Sequence, residues 1–90
     1  MKEKRDFIIK NRLGLHARAA AKFVETTSKF ASTIKVSKDG IEVDGKSIMG
    51  LLTLIAGKGS KITVVADGPD AKEALDEIEK LIDNKFGEEK

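Results

Sequence analysis

Apolar residues in this 90-residue chain switch repeatedly between two spacings, and that alternation of period restricts the folds open to it. Period two appears at Phe7 and Ile9, at Ile34 and Val36, at Ile41 and Val43, and at Ile62, Val64 and Ala66. Such alternation marks strands with one buried face. Helical spacing appears at Ala20, Phe23, Val24 and Thr27, and again at Ala71, Ala74, Leu75, Ile78, Leu81 and Ile82. Each of those stripes has to be buried against another element.

The segments have legible punctuation. A first strand is expected near residues 5–10, ended by Asn11 to Gly14, and a helix from Ala17 to about Ser28 with Lys22, Glu25 and Lys29 outward and Phe30 at its close. Lys38-Asp39-Gly40 between two alternating runs predicts a hairpin. A short helix is expected from about Ser47 to Leu54, stopped by Gly57 and Gly59. The last helix has Asp70 as its predicted cap, Glu73 in capping-box register, Pro69 just outside and Gly87 at its end. The order is β-α-β-β-α-β-α, an α+β arrangement with helices on one face of a sheet, expected as one domain over residues 1–90. A chain this short buries only about 60 to 65% of its unfolded surface, so the core has to be thin.

Seventeen Lys and Arg stand against fifteen Asp and Glu, interleaved along the chain. Mixed signs describe a solvated surface better than the concentrated basic face of a nucleic-acid binder, and no nucleic-acid partner is expected. Without cysteine there is no disulfide framework and no thiolate metal site. Residues 48–56, the longest apolar stretch, are broken by Gly50 and Thr53 and fall far short of the roughly 20 that span a bilayer. The few apolar residues before Lys10 are too short a run for a signal-peptide core. The expectation is a cytoplasmic monomer that takes no metal, no cofactor and no membrane.

The sole histidine, His16, lies where a glycine-led turn gives way to an alanine-rich helix. The first N–H groups of a helix lack intrahelical partners and carry the positive end of its dipole, so a phosphoryl group on His16 would meet ready donors on Ala17 and Arg18. Arg18 opposes the local dipole preference, which suggests that an anion is expected beside it. A second string, Gly40 to Ser47, spells the P-loop pattern Gly-x4-Gly-Lys-Ser. It is rejected as a nucleotide site, because its middle residues alternate as a strand and Glu42 and Asp44 would put carboxylates where phosphates belong.

The run Gly14-Leu15-His16-Ala17-Arg18-Ala19 resembles the active-site signature of the HPr family, the histidine phosphocarriers of the bacterial phosphotransferase system. Gly45-Lys46-Ser47-Ile48-Met49-Gly50-Leu51-Leu52-Thr53-Leu54 is similar to that family's regulatory-serine segment. The resemblance implies an antiparallel four-stranded sheet in the order 1-4-2-3, an open-faced sandwich with three helices on one face. It implies a carrier, not a stand-alone enzyme, whose His16 is phosphorylated through Nδ1 by phosphorylated enzyme I and discharged to IIA-type domains. It also implies a kinase/phosphorylase acting on Ser47 and a transcriptional regulator as partners. Docking would use Ala17, Arg18 and Ala21 around the histidine, together with Ile48, Met49 and Leu52. Leu51 and Leu54 suffice for the core side of that short helix. Ser47 is also a preferred helix N-cap on its own account, worth about 1 kcal/mol. The alternative reading is a regulatory adaptor controlled at Ser47, with transfer through His16 secondary. One departure stands at Ala19, where the family most often has proline. Alanine retains the N–H and resembles the nitrogen-related or regulatory branch.

Overall fold

The structure is a computed structural model in which residues 1–88 are described, so the end of the expected 1–90 domain lies outside the described residues. Four strands and three α-helices follow in the expected order: β1 (Lys2–Ile8), α1 (Ala17–Thr27), β2 (Thr33–Lys38), β3 (Ile41–Asp44), α2 (Ile48–Leu52), β4 (Lys61–Asp67) and α3 (Ala71–Asp83). A single 3-10 turn, Lys85–Gly87, closes the described chain. The sheet order is β1-β4-β2-β3 with every neighbour antiparallel. This is the topology that the family resemblance implied.

Register explains which face is buried. Phe7 pairs with Ile62, Ile34 with Ala66, and Val36 with both Val43 and Val64, so one face is a continuous apolar layer. Onto it pack Ala19, Ala20 and Phe23 of α1, Leu51 of α2, and Ala71, Ala74, Leu75, Ile78 and Ile82 of α3, all within one buried cluster. Small residues on α1 and α3 let those two helices approach each other, and those on α3 let its backbone approach β1 and β4. Each fully buried Leu, Ile or Phe in this layer contributes about 1.5–3 kcal/mol. The opposite face carries Lys4 beside Val65, Lys35 and Asp44, with Thr63 beside Asp6 and Ser37, and is left to solvent. The P-loop-like string falls across β3 and the turn before α2, so its middle is paired strand.

Several boundaries differ from expectation for identifiable reasons. β1 covers residues 2–8, where polar residues pair with β4, and Ile9 is held past the strand end by its N–H to the Ser60 carbonyl at 2.9 Å. α2 is shorter than 47–54 because Thr53 already caps it. α3 ends at Asp83, before Gly87, and the chain then turns so that Phe86 is buried.

Asp70 corrects a more specific expectation. It stands at the N-cap of α3 but makes no side-chain cap bond. Its carboxylate instead accepts from the Ser32 hydroxyl and from the N–H groups of Ala31 and Ser32, each N–H at 2.9 Å. The carboxylate therefore ties the start of α3 to the loop that enters β2. Chiefly the Ser32 hydroxyl, then the Ala31 N–H, hold the Asp70 carboxyl below the ordinary aspartate range, against a smaller opposing effect of desolvation. Because the folded value is depressed, its stabilisation is complete above the unfolded value and disappears as pH falls through the folded one. Asp70→Asn is expected to lower the thermal midpoint at neutral pH, and the gap from the parent should close in acid below the carboxylate range. A midpoint difference that persists there would contradict this account.

Candidate functional site

The loop between β1 and α1 is fastened on two sides before it reaches His16. On one side Gly59 donates to the Ile9 carbonyl at 2.8 Å, and Leu15 donates to the Ala56 carbonyl at 2.8 Å. Buried Leu15 anchors the chain immediately ahead of the helix. Gly14 sits between these contacts with φ +69°, and a Cβ there would stand 2.6 Å from the Ala56 oxygen and 2.7 Å from the Gly57 Cα. Only glycine tolerates that conformation and that approach together.

On the other side the Glu88 carboxylate gathers the turn. It accepts from Asn11 Nδ2 at 3.0 Å, from the Arg12 N–H at 2.8 Å and from the Leu13 N–H at 3.3 Å. The Asn11 side chain also donates to the Gly14 carbonyl at 2.7 Å, which links the clamp to the residue that starts the turn into α1. These bonds, the Asn11 side chain first, keep the Glu88 carboxyl below the usual glutamate range against partial desolvation. Neither Asn11 nor Glu88 was singled out from sequence. An asparagine three residues before a glycine was the available signal for the first; Glu88 has none, since its partners are more than seventy positions away.

His16 is the N-cap of α1, with an extended backbone (φ −82°, ψ −177°) and a half-buried ring. Its carbonyl accepts the Ala20 N–H at 2.8 Å, and its Nδ1 accepts the Ala19 N–H at 3.1 Å. A nitrogen that accepts is unprotonated, so the neutral ring carries its proton on Nε2. The N–H groups of Ala17 and Arg18, the next two at the helix start, have no hydrogen-bond partner among the described residues. Arg18 itself is exposed and enters no ion pair among the described residues. The site therefore presents an unprotonated ring nitrogen, two unclaimed amides and an exposed cation within one helical turn.

Around the ring lies a shallow apolar depression that Leu13, Leu52, Ile55 and Gly57 line. Leu13 is 55% exposed and Ile55 81% exposed, the latter with φ +48°. A β-branched residue in the left-handed region is strained by roughly 1–3 kcal/mol. Leu13 and Ile55 were also missed from sequence, where each reads as one more apolar residue beside a glycine turn. On α2, Ile48 and Met49 are exposed and Leu52 half-buried, while Leu51 and Leu54 go to the core as expected. Ala17 and Ala21 are exposed on α1. Ser47 caps α2, its Oγ accepting the Gly50 N–H at 3.0 Å.

Residues 3–84 match the family model PTS-HPr, described as the PTS HPr component phosphorylation site. The chain belongs to the HPr family. A phosphocarrier protein HPr of Cupriavidus necator is 52% identical over 84 residues, 93% of this chain and 94% of the relative. The solved HPr from Thermoanaerobacter tengcongensis superimposes with a TM-score of 0.93 at 46% identity, covering 98% of this chain and 99% of that one. A second structure from that organism, described as an HPr dimer, matches with a TM-score of 0.78 at 49% identity over 91% of this chain and 94% of that one. As an HPr, the chain is a phosphocarrier of the phosphotransferase system. Among the described residues no helix is long and apolar enough to cross a membrane, and no three His, Cys, Asp or Glu side chains gather into a metal site.

Gly14 provides the test of how the HPr site is built. Gly14→Ala is expected to cost about 2 kcal/mol or more, because strain and a backbone collision add. It should also displace the Leu15 and His16 resonances while leaving β2 and β3 unmoved. Thermal unfolding and amide chemical shifts measure both, and an undisturbed His16 would contradict the account.

Proposed function

We propose that His16 is the residue of this HPr that carries the phosphoryl group, accepting it at Nδ1 from phosphorylated enzyme I and passing it to IIA-type domains. The observation that carries the reading is the cap geometry. An unprotonated nitrogen sits at a helix start whose Ala17 and Arg18 amides are unclaimed. Phosphoryl transfer runs through a loose transition state and depends on alignment and charge stabilisation more than on covalent help. The amides and the Arg18 guanidinium supply that charge stabilisation. Their exposure keeps the phosphorylated state from being held too deeply for onward transfer, since equal gains in ground and transition states do not speed a step. The chain therefore acts as a stoichiometric intermediate, with catalysis shared between it and its partners, and it works in the cytoplasm where those partners reside.

Docking uses the exposed apolar surface beside the ring. Ala17, Arg18 and Ala21 on α1 and Ile48, Met49 and Leu52 on α2 form its two sides, and methionine suits a surface that meets more than one partner. Incubation with enzyme I and phosphoenolpyruvate should leave one acid-labile phosphate per chain. His16→Ala should abolish it, and Arg18→Ala should slow transfer about tenfold, the loss of one charge-assisted contact. A parent protein that takes no label would overturn the proposal.

A second reading is supported by Ser47, whose hydroxyl occupies the start of α2 next to exposed Ile48 and Met49. A phosphate there would add about −2 charge at a helix N-terminus and beside the docking surface. Through a kinase/phosphorylase acting on Ser47 the same HPr would serve as a regulatory adaptor to a transcriptional regulator. We take the working unit to be the monomer. With that kinase, acid-stable label should appear and Ser47→Ala should remove it, together with about 1 kcal/mol of stability from the lost cap. Acid-stable label retained in Ser47→Ala would exclude this site.

A further inference from the structure

An imidazole nitrogen has one in-plane lone pair, so Nδ1 cannot accept the Ala19 N–H and bond phosphorus at once. The two nitrogens are 3.1 Å apart. Phosphorus on that lone pair would stand between them, where there is no room for it. Phosphorylation at Nδ1 therefore requires the ring to swing away from its capping position, and the Ala19 N–H then has no partner within its helix. A phosphoryl oxygen is the acceptor such a movement brings to it, alongside the free amides of Ala17 and Arg18. A bond from N–H to an anionic oxygen is stronger than the one to a neutral nitrogen that it replaces.

We propose that the Ala19 backbone amide is a catalytic group of the transfer, holding the Nδ1 lone pair in the resting carrier and passing to a phosphoryl oxygen in the phosphorylated one. This rests on the reading of His16 as the acceptor through Nδ1. In the step itself the Nδ1 lone pair forms the N–P bond. The bond from phosphorus to the donor breaks, and its electron pair leaves with the donor, a phosphoramidate such as a phosphohistidine. The Nε2 proton stays on the ring. The amide has a partner at both ends of the step, donating to Nδ1 in the resting carrier and to a phosphoryl oxygen in the phosphorylated one, so no donor is stranded in the product. A residue lacking an N–H at position 19 can do neither.

The test uses the whole isotope-labelled chain and small-molecule phosphoramidate as donor, so that enzyme I is not needed. In the parent the Ala19 amide proton is expected to be slow to exchange and coupled to Nδ1 before phosphorylation. Afterwards it should remain slow to exchange and correlate with phosphorus. An Ala19 amide that becomes fast-exchanging on phosphorylation, or that stays bonded to Nδ1 while phosphorus sits on Nε2, would overturn the proposal. Ala19→Pro removes the N–H at a first-turn position that accommodates proline. It should shorten the phosphohistidine half-life about fivefold, the worth of one hydrogen bond. An unchanged half-life in a variant whose sheet resonances match the parent would also overturn it. Should that variant not fold, the exchange and correlation of the parent's Ala19 amide decide alone. Failure of enzyme I to label a parent that phosphoramidate does label would count against the carrier reading and leave this one intact.

Discussion

The hydrogen bond from the Leu15 N–H to the Ala56 carbonyl joins the two loops on which the site is built, and the position of His16 follows from it. It sets the chain at the last residue before the cap, so the start of α1 is determined by a contact outside the helix. Gly14 lets the two backbones come that close, and buried Leu15 keeps them there. A cap alone would leave the first turn free to fray, since isolated helices this short are marginal. Here the fray is prevented by β4 and its preceding loop, which also hold Ile9 through Gly59 and Ser60. Precision at the histidine is thus borrowed from the sheet.

Both residues with a proposed phosphorylation occupy the same local geometry. His16 and Ser47 each stand at an N-cap, and each accepts the N–H three residues on through a side-chain atom, at 3.1 and 3.0 Å. Modifying either replaces a neutral cap by an anion at the positive end of a helix, a change the dipole favours by some tenths of a kcal/mol or more. The two differ in what must move. The serine hydroxyl keeps acceptor oxygen facing Gly50 after a phosphate is added, whereas the histidine has only one lone pair to give. A cap can therefore be retained at α2 and has to be exchanged at α1.

How far the sequence carried depended on whether an interaction was local. The period switches located the four strands, α1 and α3, and the turn and stop residues located α2 and the Asp39-Gly40 hairpin, because both signals are properties of neighbouring residues. The family resemblance added the strand order, which periodicity alone leaves open. At the site, the places of His16, Arg18 and Ser47 at helix starts were legible from local punctuation, and the roles proposed for them come from the family resemblance. Asn11 and Glu88 were not, since a carboxylate at residue 88 becomes a partner of residues 11–13 only after β1 and α3 have packed side by side. Asp70 shows the same effect in reverse. Its sequence context reads as a capping box, but the Ser32 hydroxyl and two loop amides form a better cradle for its carboxylate than the helix start does. Tertiary donors displaced a local motif whose spelling was correct.

The rim of the site is where the fold gives up stability. Ile55 stands in the left-handed region with its side chain almost fully in water, and Leu13 in the same depression and Met49 on α2 are exposed as well. None of these gains from burial in the free protein, and Ile55 adds strain that a glycine would relieve. Such a cost is tolerable because the adjoining residues are over-determined. Leu54 and Ala56, on either side of Ile55, are both buried, and the Ala56 carbonyl carries the bond to Leu15. The strained residue is held between two anchors, one of which also sets the histidine. The backbone of the site is therefore fixed, and the movement that the proposed transfer requires falls to the His16 ring and the exposed Arg18 side chain. A group that has to be taken up and given away needs that division. In the proposed transfer the amides stay where the phosphoryl oxygens arrive, and the ring that brings them turns.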